Sequence, residues 1–310
     1  MNESTQPETL TKPAAKKPAS KLKAKDPATA EPSKPKMLMF GKPGVGKTWG
    51  ALDFPKCYYI DTEGGANLSH YTEKLKKAGG RYLGPEDGSL DFNVVIEQIQ
   101  ALATESHQFK TLIVDSISKL FNTAVATESE RLKEKDAFGA SKKPAIAAMR
   151  RLVNWINRLD MNVLFIAHSK SEWGLNPSGD RVEIGQTFDC WEKLEYELHL
   201  ALEIIKRGPD RTARVRKSRL TGFPDAEIFP WSYAEFSSRY GKEIIEGGVK
   251  TIVLANSEQV ADCIRLCEII RVTDEEKEKW FTKSGSESFA EMDAATVIKI
   301  IEHLKKKVSQ

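Results

Sequence analysis

Between Lys36 and Phe236 short apolar runs alternate with longer stretches in which apolar residues recur every three or four positions. MLMF (Met37 to Phe40), CYYID (Cys57 to Asp61), TLIVD (Thr111 to Asp115) and NVLFIAH (Asn162 to His168) are near-continuous, the pattern of strands covered on both faces. Helical spacing is predicted over residues 68–78, 92–104 and 145–159. Alternation of this kind predicts an α/β core with a mostly parallel sheet flanked by helices. Beyond it, YELHLALEIIKRG and TARVRKSRL surround Gly208, Pro209 and Asp210 and read as a C-terminal antiparallel hairpin extending the sheet.

The two ends have a different texture. Residues 1–35 are mainly Lys, Ala, Pro, Thr, Ser and Glu, with almost nothing large and apolar to offset the entropy of ordering, so a disordered basic tail is predicted. Residues 247–310 return to helical spacing in SEQVADCIRLCEII, DEEKEKWFTKSG and ATVIKIIEHLKKK, with Ser257 and Asp293 as candidate caps and Trp280 as core. The expected organisation is therefore a tail (1–35), an α/β core (36–236) and a small helical domain (247–310). No repeat of 20–50 residues runs through it.

Composition narrows the class only slightly. The formal charge of +3 over 310 residues places any basic surface in local clusters. The four cysteines contain no CxxC pair, and Cys263 and Cys267 lie one helical turn apart, as buried free thiols of a reducing compartment would. No apolar run approaches the roughly 18–20 residues of a spanning helix, and the N-terminus lacks a hydrophobic signal core. A soluble, cytoplasmic protein without a membrane partner is expected.

Candidate chemistry enters with GKPGVGKT, Gly41 to Thr48, which fits G-x-x-x-x-G-K-[ST] between an apolar strand and a short helix. Glycines let the backbone N–H groups of Gly41, Lys42, Pro43, Gly44, Val45 and Gly46, proline excepted, converge on phosphate oxygens. Lys47 reaches the outer phosphates, and Thr48 offers its hydroxyl to Mg²⁺. ATP and Mg²⁺ are the implied cofactors.

Hydrolysis also requires a carboxylate near the metal and a base for water. TLIVDS carries Asp115 to the carboxyl end of a strand, where it can support Mg²⁺. Many related ATPases place a glutamate next, but here Ser116 follows. The base must then come from another strand, and IDTEGG puts Glu63 just beyond a carboxyl edge on the same rim. A surface carboxylate capping the next helix would have the same local sequence.

The order GKPGVGKT, YYIDTEGGANLSHYTEKL, TLIVDSISKL, AIAAMRRLVNWINRL and NVLFIAHSKSEWG resembles the ATPase core of RecA-type recombinases. It is most similar to the short RecA-like single-strand annealing ATPases encoded by bacteriophages, over Lys36 to Pro224. That resemblance implies that Glu63 activates water, that Asp115 supports Mg²⁺, and that the strand ending at His168 lies between the two nucleotide strands. RecA carries glutamine where His168 falls, so His168 is either a γ-phosphate sensor or a satisfied strand-end residue.

The resemblance also implies that the segment Ser169 to Gln186 faces single-stranded DNA. Lys170 and Arg181 would hold phosphates and Trp173 would stack a base, although a two-stranded ribbon with Trp173 packed on its own core fits the same residues. KSR, containing Lys217 and Arg219, is similar to the cations such assemblies push into a neighbour's ATP site. A solvated edge strand would look alike. The function expected is an ATPase, stimulated by DNA, that forms a filament or ring of identical subunits on single-stranded DNA and promotes annealing or recombination. Its helical C-terminal tail could engage a single-stranded-DNA-binding protein or another recombination protein. The alternatives are a helicase loader or motor, and a nucleotide-switched binding module with little turnover.

Overall fold

In the computed structural model, which describes residues 24, 26–133 and 139–308, the apolar runs become strands of one sheet. The strands are β1 (Lys36–Gly41), β2 (Cys57–Asp61), β3 (Arg81–Leu83), β4 (Thr111–Asp115), β5 (Asn162–Leu175), β6 (Arg181–Phe188), β7 (Leu200–Arg207), β8 (Asp210–Ser218) and β9 (Ile228–Pro230). Their order is β3-β2-β4-β5-β1-β7-β8-β9, with β6 on the far part of β5. The first six are parallel, whereas β8 and β9 close the sheet antiparallel.

Strands buried on both faces explain the continuous apolar runs. In β1, Leu38 and Phe40 join the core under α3 (Phe92–Thr104), α4 (Ile117–Leu132) and α5 (Lys142–Arg158). Met37 and Met39 point the other way, into the core beneath α1 (Lys47–Ala51), α2 (Ser69–Lys77), α7 (Tyr233–Tyr240) and α8 (Lys242–Ile245). This is period-two alternation with both faces apolar. The short helix α6 (Leu194–Glu197) leads into β7.

By internal contacts the chain divides into Met1–Pro32 and Ser33–Gln310. In the first unit the described residues include a 3₁₀ turn, Pro27–Thr29, where the Ala28 N–H donates to the Asp26 carboxylate at 2.9 Å; most of the predicted tail lies outside the described residues. Ser33 to Pro35, assigned to that tail from composition, belong to the folded unit: Lys34 is buried, and its Nζ donates to the carbonyls of Ile244 (3.3 Å) and Gly247 (3.0 Å).

The C-terminal helices α9 (Ser257–Ile270), α10 (Asp274–Ser284) and α11 (Ala294–Val308) enclose a core of their own around Cys263, Leu266, Met292 and Leu304. They are tied to α5 by Arg151 with Glu287 (3.0 Å) and Glu291 (2.7 Å), and by Arg158 with Asp293 (3.3 Å). The cap of α9 is Asn256 rather than Ser257, because Asn256 and Gln259 exchange side-chain and backbone hydrogen bonds in a capping box. The Asp293 carboxylate is engaged with Arg158. All four cysteines are free and buried. Among the described residues no helix is long and apolar enough to cross a membrane.

Candidate active site

The sheet register brings the predicted residues to one rim. Gly41 of β1 lies beside His168 of β5, and Asp115 of β4 pairs with both Asp61 of β2 and Ile166 of β5. Thus β5 runs between the strand that enters the glycine-rich loop and the strand that ends in Asp115.

That loop leaves β1 at Gly41, whose φ of +153° and tight setting admit no side chain: a Cβ would sit 2.4 Å from the Ile204 carbonyl oxygen of β7. Lys42, Pro43 and Gly44 are exposed, Val45 is buried, and Gly46 (φ +92°) precedes α1. Lys47 folds back so that its Nζ donates to the carbonyls of Gly41 (2.8 Å) and Lys42 (3.1 Å). Burial pushes the Lys47 ammonium pKa down, against the opposing charges of Asp115 and Glu63.

Thr48 and Asp115 meet directly. The Thr48 hydroxyl donates to Asp115 Oδ2 at 2.5 Å, and the Tyr59 hydroxyl approaches the same oxygen at 3.4 Å. Desolvation pushes the Asp115 carboxyl up to about 6, although the Thr48 hydrogen bond pulls it down. A hydroxyl and a buried carboxylate touching beside the loop are the hard oxygen donors that suit Mg²⁺.

Glu63 is positioned by Asp61, a residue that pattern reasoning passes over. The Asp61 carboxylate accepts the N–H groups of Glu63 (2.9 Å), Gly64 (3.0 Å), Gly65 (2.6 Å) and Ala66 (2.6 Å), folding the chain into a turn around it. Thr62 adds a backbone lock: its N–H donates to the Asp115 carbonyl at 2.7 Å, and its hydroxyl accepts from the Ser116 N–H at 2.9 Å. Glu63 then projects over the rim, where Oε1 accepts from the Ser116 hydroxyl (2.6 Å) and from His168 Nε2 (2.5 Å). It caps no helix, since α2 begins after Leu68 without a side-chain cap. Ser116 stands where the common second acidic residue is missing, and here its hydroxyl also lies 3.3 Å from His168. The signal for Asp61 was an aspartate just ahead of two glycines.

His168 does not end its strand. Sheet pairing with β1 stops there, but β5 continues to Leu175, paired antiparallel with β6 from Ser169↔Phe188 to Leu175↔Arg181. The polar stretch is therefore a two-stranded ribbon, as the alternative reading of its sequence had it. Trp173 is not packed on a core: it is 51% exposed, with the Arg181 guanidinium 5.1 Å from its ring. Leu175 and Ile184 are exposed as well. Lys170 faces Asp189 at 3.8 Å, and Arg216 of β8 braces the ribbon through Glu172 (2.7 Å) and the Gln186 carbonyl (2.6 Å).

Lys217 and Arg219 are not brought to this rim. Ser218 pairs with Leu200, which pairs with Met37 at the start of β1, so both cations lie toward the edge of the sheet away from their own loop. Their side chains donate to the carbonyls of Leu198 and Tyr196. At the opposite end of β8, Arg211 touches the loop itself, its Nε donating to the Val45 carbonyl at 3.1 Å. Sequence reading passed over Arg211, because nothing in RTARVRKSRL distinguishes one arginine from the next.

Comparison with known proteins identifies the frame around these residues. A family model described as an AAA domain matches residues 33–222. No curated protein matches the chain. Among solved structures, one similar chain is described as a prototypical ATPase from the type III secretion system of pathogenic bacteria. It is 13% identical with a TM-score of 0.38, covering 89% of this chain and 81% of that one.

Proposed function

Because the chain belongs to the AAA domain family and is a P-loop ATPase, we propose that its hydrolysis is stimulated by single-stranded DNA, on which identical subunits assemble to promote annealing or recombination. The observation that carries this reading is the continuity of β5. One strand holds His168 against Glu63 and then runs on as the ribbon strand bearing Lys170 and Trp173, paired with β6, which carries Arg181.

In the mechanism, loop N–H groups and Lys47 bind the ATP phosphates, while Thr48 and Asp115 are the residues that would hold Mg²⁺. Bound there, the ion would neutralise charge developing on the transferred phosphoryl group. Glu63 orients the attacking water and takes its proton at a carboxylate oxygen. Ser116 and His168 both donate to that carboxylate, which weakens it as a base until one of them moves. A ribbon displaced by DNA would move His168. Lys217 and Arg219, remote from their own loop, act on a neighbouring subunit. The setting is the cytoplasm, that of a bacterial host if the chain is phage-encoded, with single-stranded-DNA-binding or other recombination proteins as candidate partners of the C-terminal helices.

A second reading follows from the ribbon's composition. Residues 169–188 contain two basic and three acidic side chains, and Trp173, Leu175 and Ile184 expose apolar surface, which suits a protein partner of a nucleotide-switched module. ATP turnover with and without single-stranded oligonucleotide, together with annealing of complementary strands, separates the readings. Stimulation and annealing support the first; turnover indifferent to DNA removes it. Unwinding of a forked duplex without annealing would point instead to a helicase or its loader.

A further inference from the structure

Arg211 approaches the phosphate loop from the β7–β8 hairpin, 166 residues away from the carbonyl it holds. Its side chain occupies the place a residue at 46 would use: a Cβ on Gly46 would lie 2.4 Å from Arg211 Nε, 3.1 Å from Cδ and 3.2 Å from Cζ. Gly46 has φ +92°, a conformation glycine leaves easily unless something outside fixes it. The geometry of the peptide unit explains what Arg211 fixes. In a trans peptide the carbonyl and the following N–H point in opposite directions. A donor fastened to the Val45 oxygen from outside therefore turns the Gly46 N–H inward, toward the phosphates.

The same antiparallel end of the sheet grips the loop's helix. Trp231, directly after β9, packs its indole where a Cβ on Gly50 of α1 would lie only 2.3 Å from Nε1. The backbones of the two residues are joined, since the Trp231 N–H donates to the Arg211 carbonyl at 2.9 Å. Two glycines of the loop and helix thus receive two side chains from one rigid edge. Among the described residues the Arg211 side chain has no carboxylate partner, and its hydrogen bond is to the loop.

We propose that Arg211 is a positioning residue for the phosphate loop, holding the Val45–Gly46 peptide so that the cradle is preformed for the phosphates of ATP and ADP alike. The inference rests on the nucleotide-site reading and extends it to a residue outside the loop motif.

The test is equilibrium binding of ATP and of ADP to the full chain, with the unliganded melting temperature measured alongside. Arg211→Ala should weaken both nucleotides by about tenfold, the scale of one charged-group hydrogen bond, with melting changed by no more than about 2 °C. Arg211→Lys discriminates alignment from charge: it keeps the cation but puts a methylene where Nε–H stood, so it should lose affinity nearly as much as Arg211→Ala. Wild-type affinity in Arg211→Ala, full recovery in Arg211→Lys, or a loss confined to ATP would each overturn the proposal. The last would mean direct γ-phosphate contact. A wild-type chain that binds neither nucleotide would overturn the nucleotide site and this inference with it.

Discussion

Glu63 Oε1 and His168 Nε2 lie 2.5 Å apart, joining the carboxylate at the end of β2 to the residue where β5 leaves the sheet for the ribbon. A carboxylate only accepts, so Nε2 carries the proton in this contact. Glu63→Gln keeps the shape but cannot take a proton from water. ATP turnover should fall by about 10²–10⁴-fold while nucleotide binding persists. Phosphate release against equilibrium binding measures both, and undiminished release would remove Glu63 from the chemistry.

His168→Ala tests the connection rather than the base. With Ser116 left as the donor to Glu63, movement of the ribbon no longer reaches the carboxylate through the imidazole. The ratio of turnover with DNA to turnover without it should drop to about one. A variant still stimulated like the wild type would show that the contact does not transmit the DNA signal.

Much of this site was legible because chemistry and position coincide in a short span. Gly41 to Thr48 announces a phosphate cradle, and β2 and β4 are apolar throughout before ending in acids, so Glu63 and Asp115 could be set on one edge. The link among Glu63, Ser116 and His168 was not legible. It depends on the register that lays Asp61 beside Asp115 and Asp115 beside Ile166. The ribbon was legible only as an alternative, for another reason. One face is only half-buried and carries polar or small residues such as Ser169, Ser171 and Gly174, and the register slips between Glu172 and Trp173, so no apolar alternation marks Ser169 to Phe188 as strand. The short β9, α7 and α8 offer too few turns or steps for a period to emerge. Arg211 acts by folding a distant hairpin onto the loop, a long-range event with no local signature.

Lys36 supplies a stability prediction. It is buried, its Nζ donates to the Ile156 carbonyl, and desolvation lowers its pKa from 10.5 to about 8, against the attraction of Asp160. Between these values the unfolded chain binds more protons than the folded one at this site, so this residue makes stability rise with pH from about 8 toward 10. Below pH 8 the cost of the buried charge is fully present. Lys36→Met should remove about 2 kcal/mol of that rise. Denaturant unfolding at pH 7.5 and 9.5 on both proteins measures it, and parallel pH profiles would contradict the assignment.

The N-terminal segment divides at Ser33. Residues 1–32 have little apolar side chain to bury, so their deletion should leave the melting temperature unchanged within about 1 °C. Lys34→Ala in the full chain strands the carbonyls of Ile244 and Gly247 and should cost about 1–2 kcal/mol. Calorimetry on the two proteins compares them. A destabilised deletion beside a neutral Lys34→Ala would reverse the assignment.

Lys217 and Arg219 pose the question of where one subunit's chemistry ends. They follow Arg211 along β8 by six and eight residues, roughly 20–25 Å at the rise of a strand, so a subunit cannot apply both ends of β8 to the same phosphates. If the far end serves a neighbour, a Lys217→Ala, Arg219→Ala protein keeps a sound ATP site and lacks only what it offers across the boundary. Glu63→Gln is the converse, with an inactive site and intact cations. Mixed on single-stranded DNA, the two slow proteins should recover part of the lost turnover, because some junctions set a sound site against sound cations. Recovery should be greatest near equal proportions and vanish when assembly is prevented by dilution. Cations that merely protect the sheet edge predict no recovery at any ratio. Absence of complementation in mixtures shown by cross-linking to co-assemble would exclude action across the boundary, leaving the two side chains to brace the Leu198 and Tyr196 carbonyls.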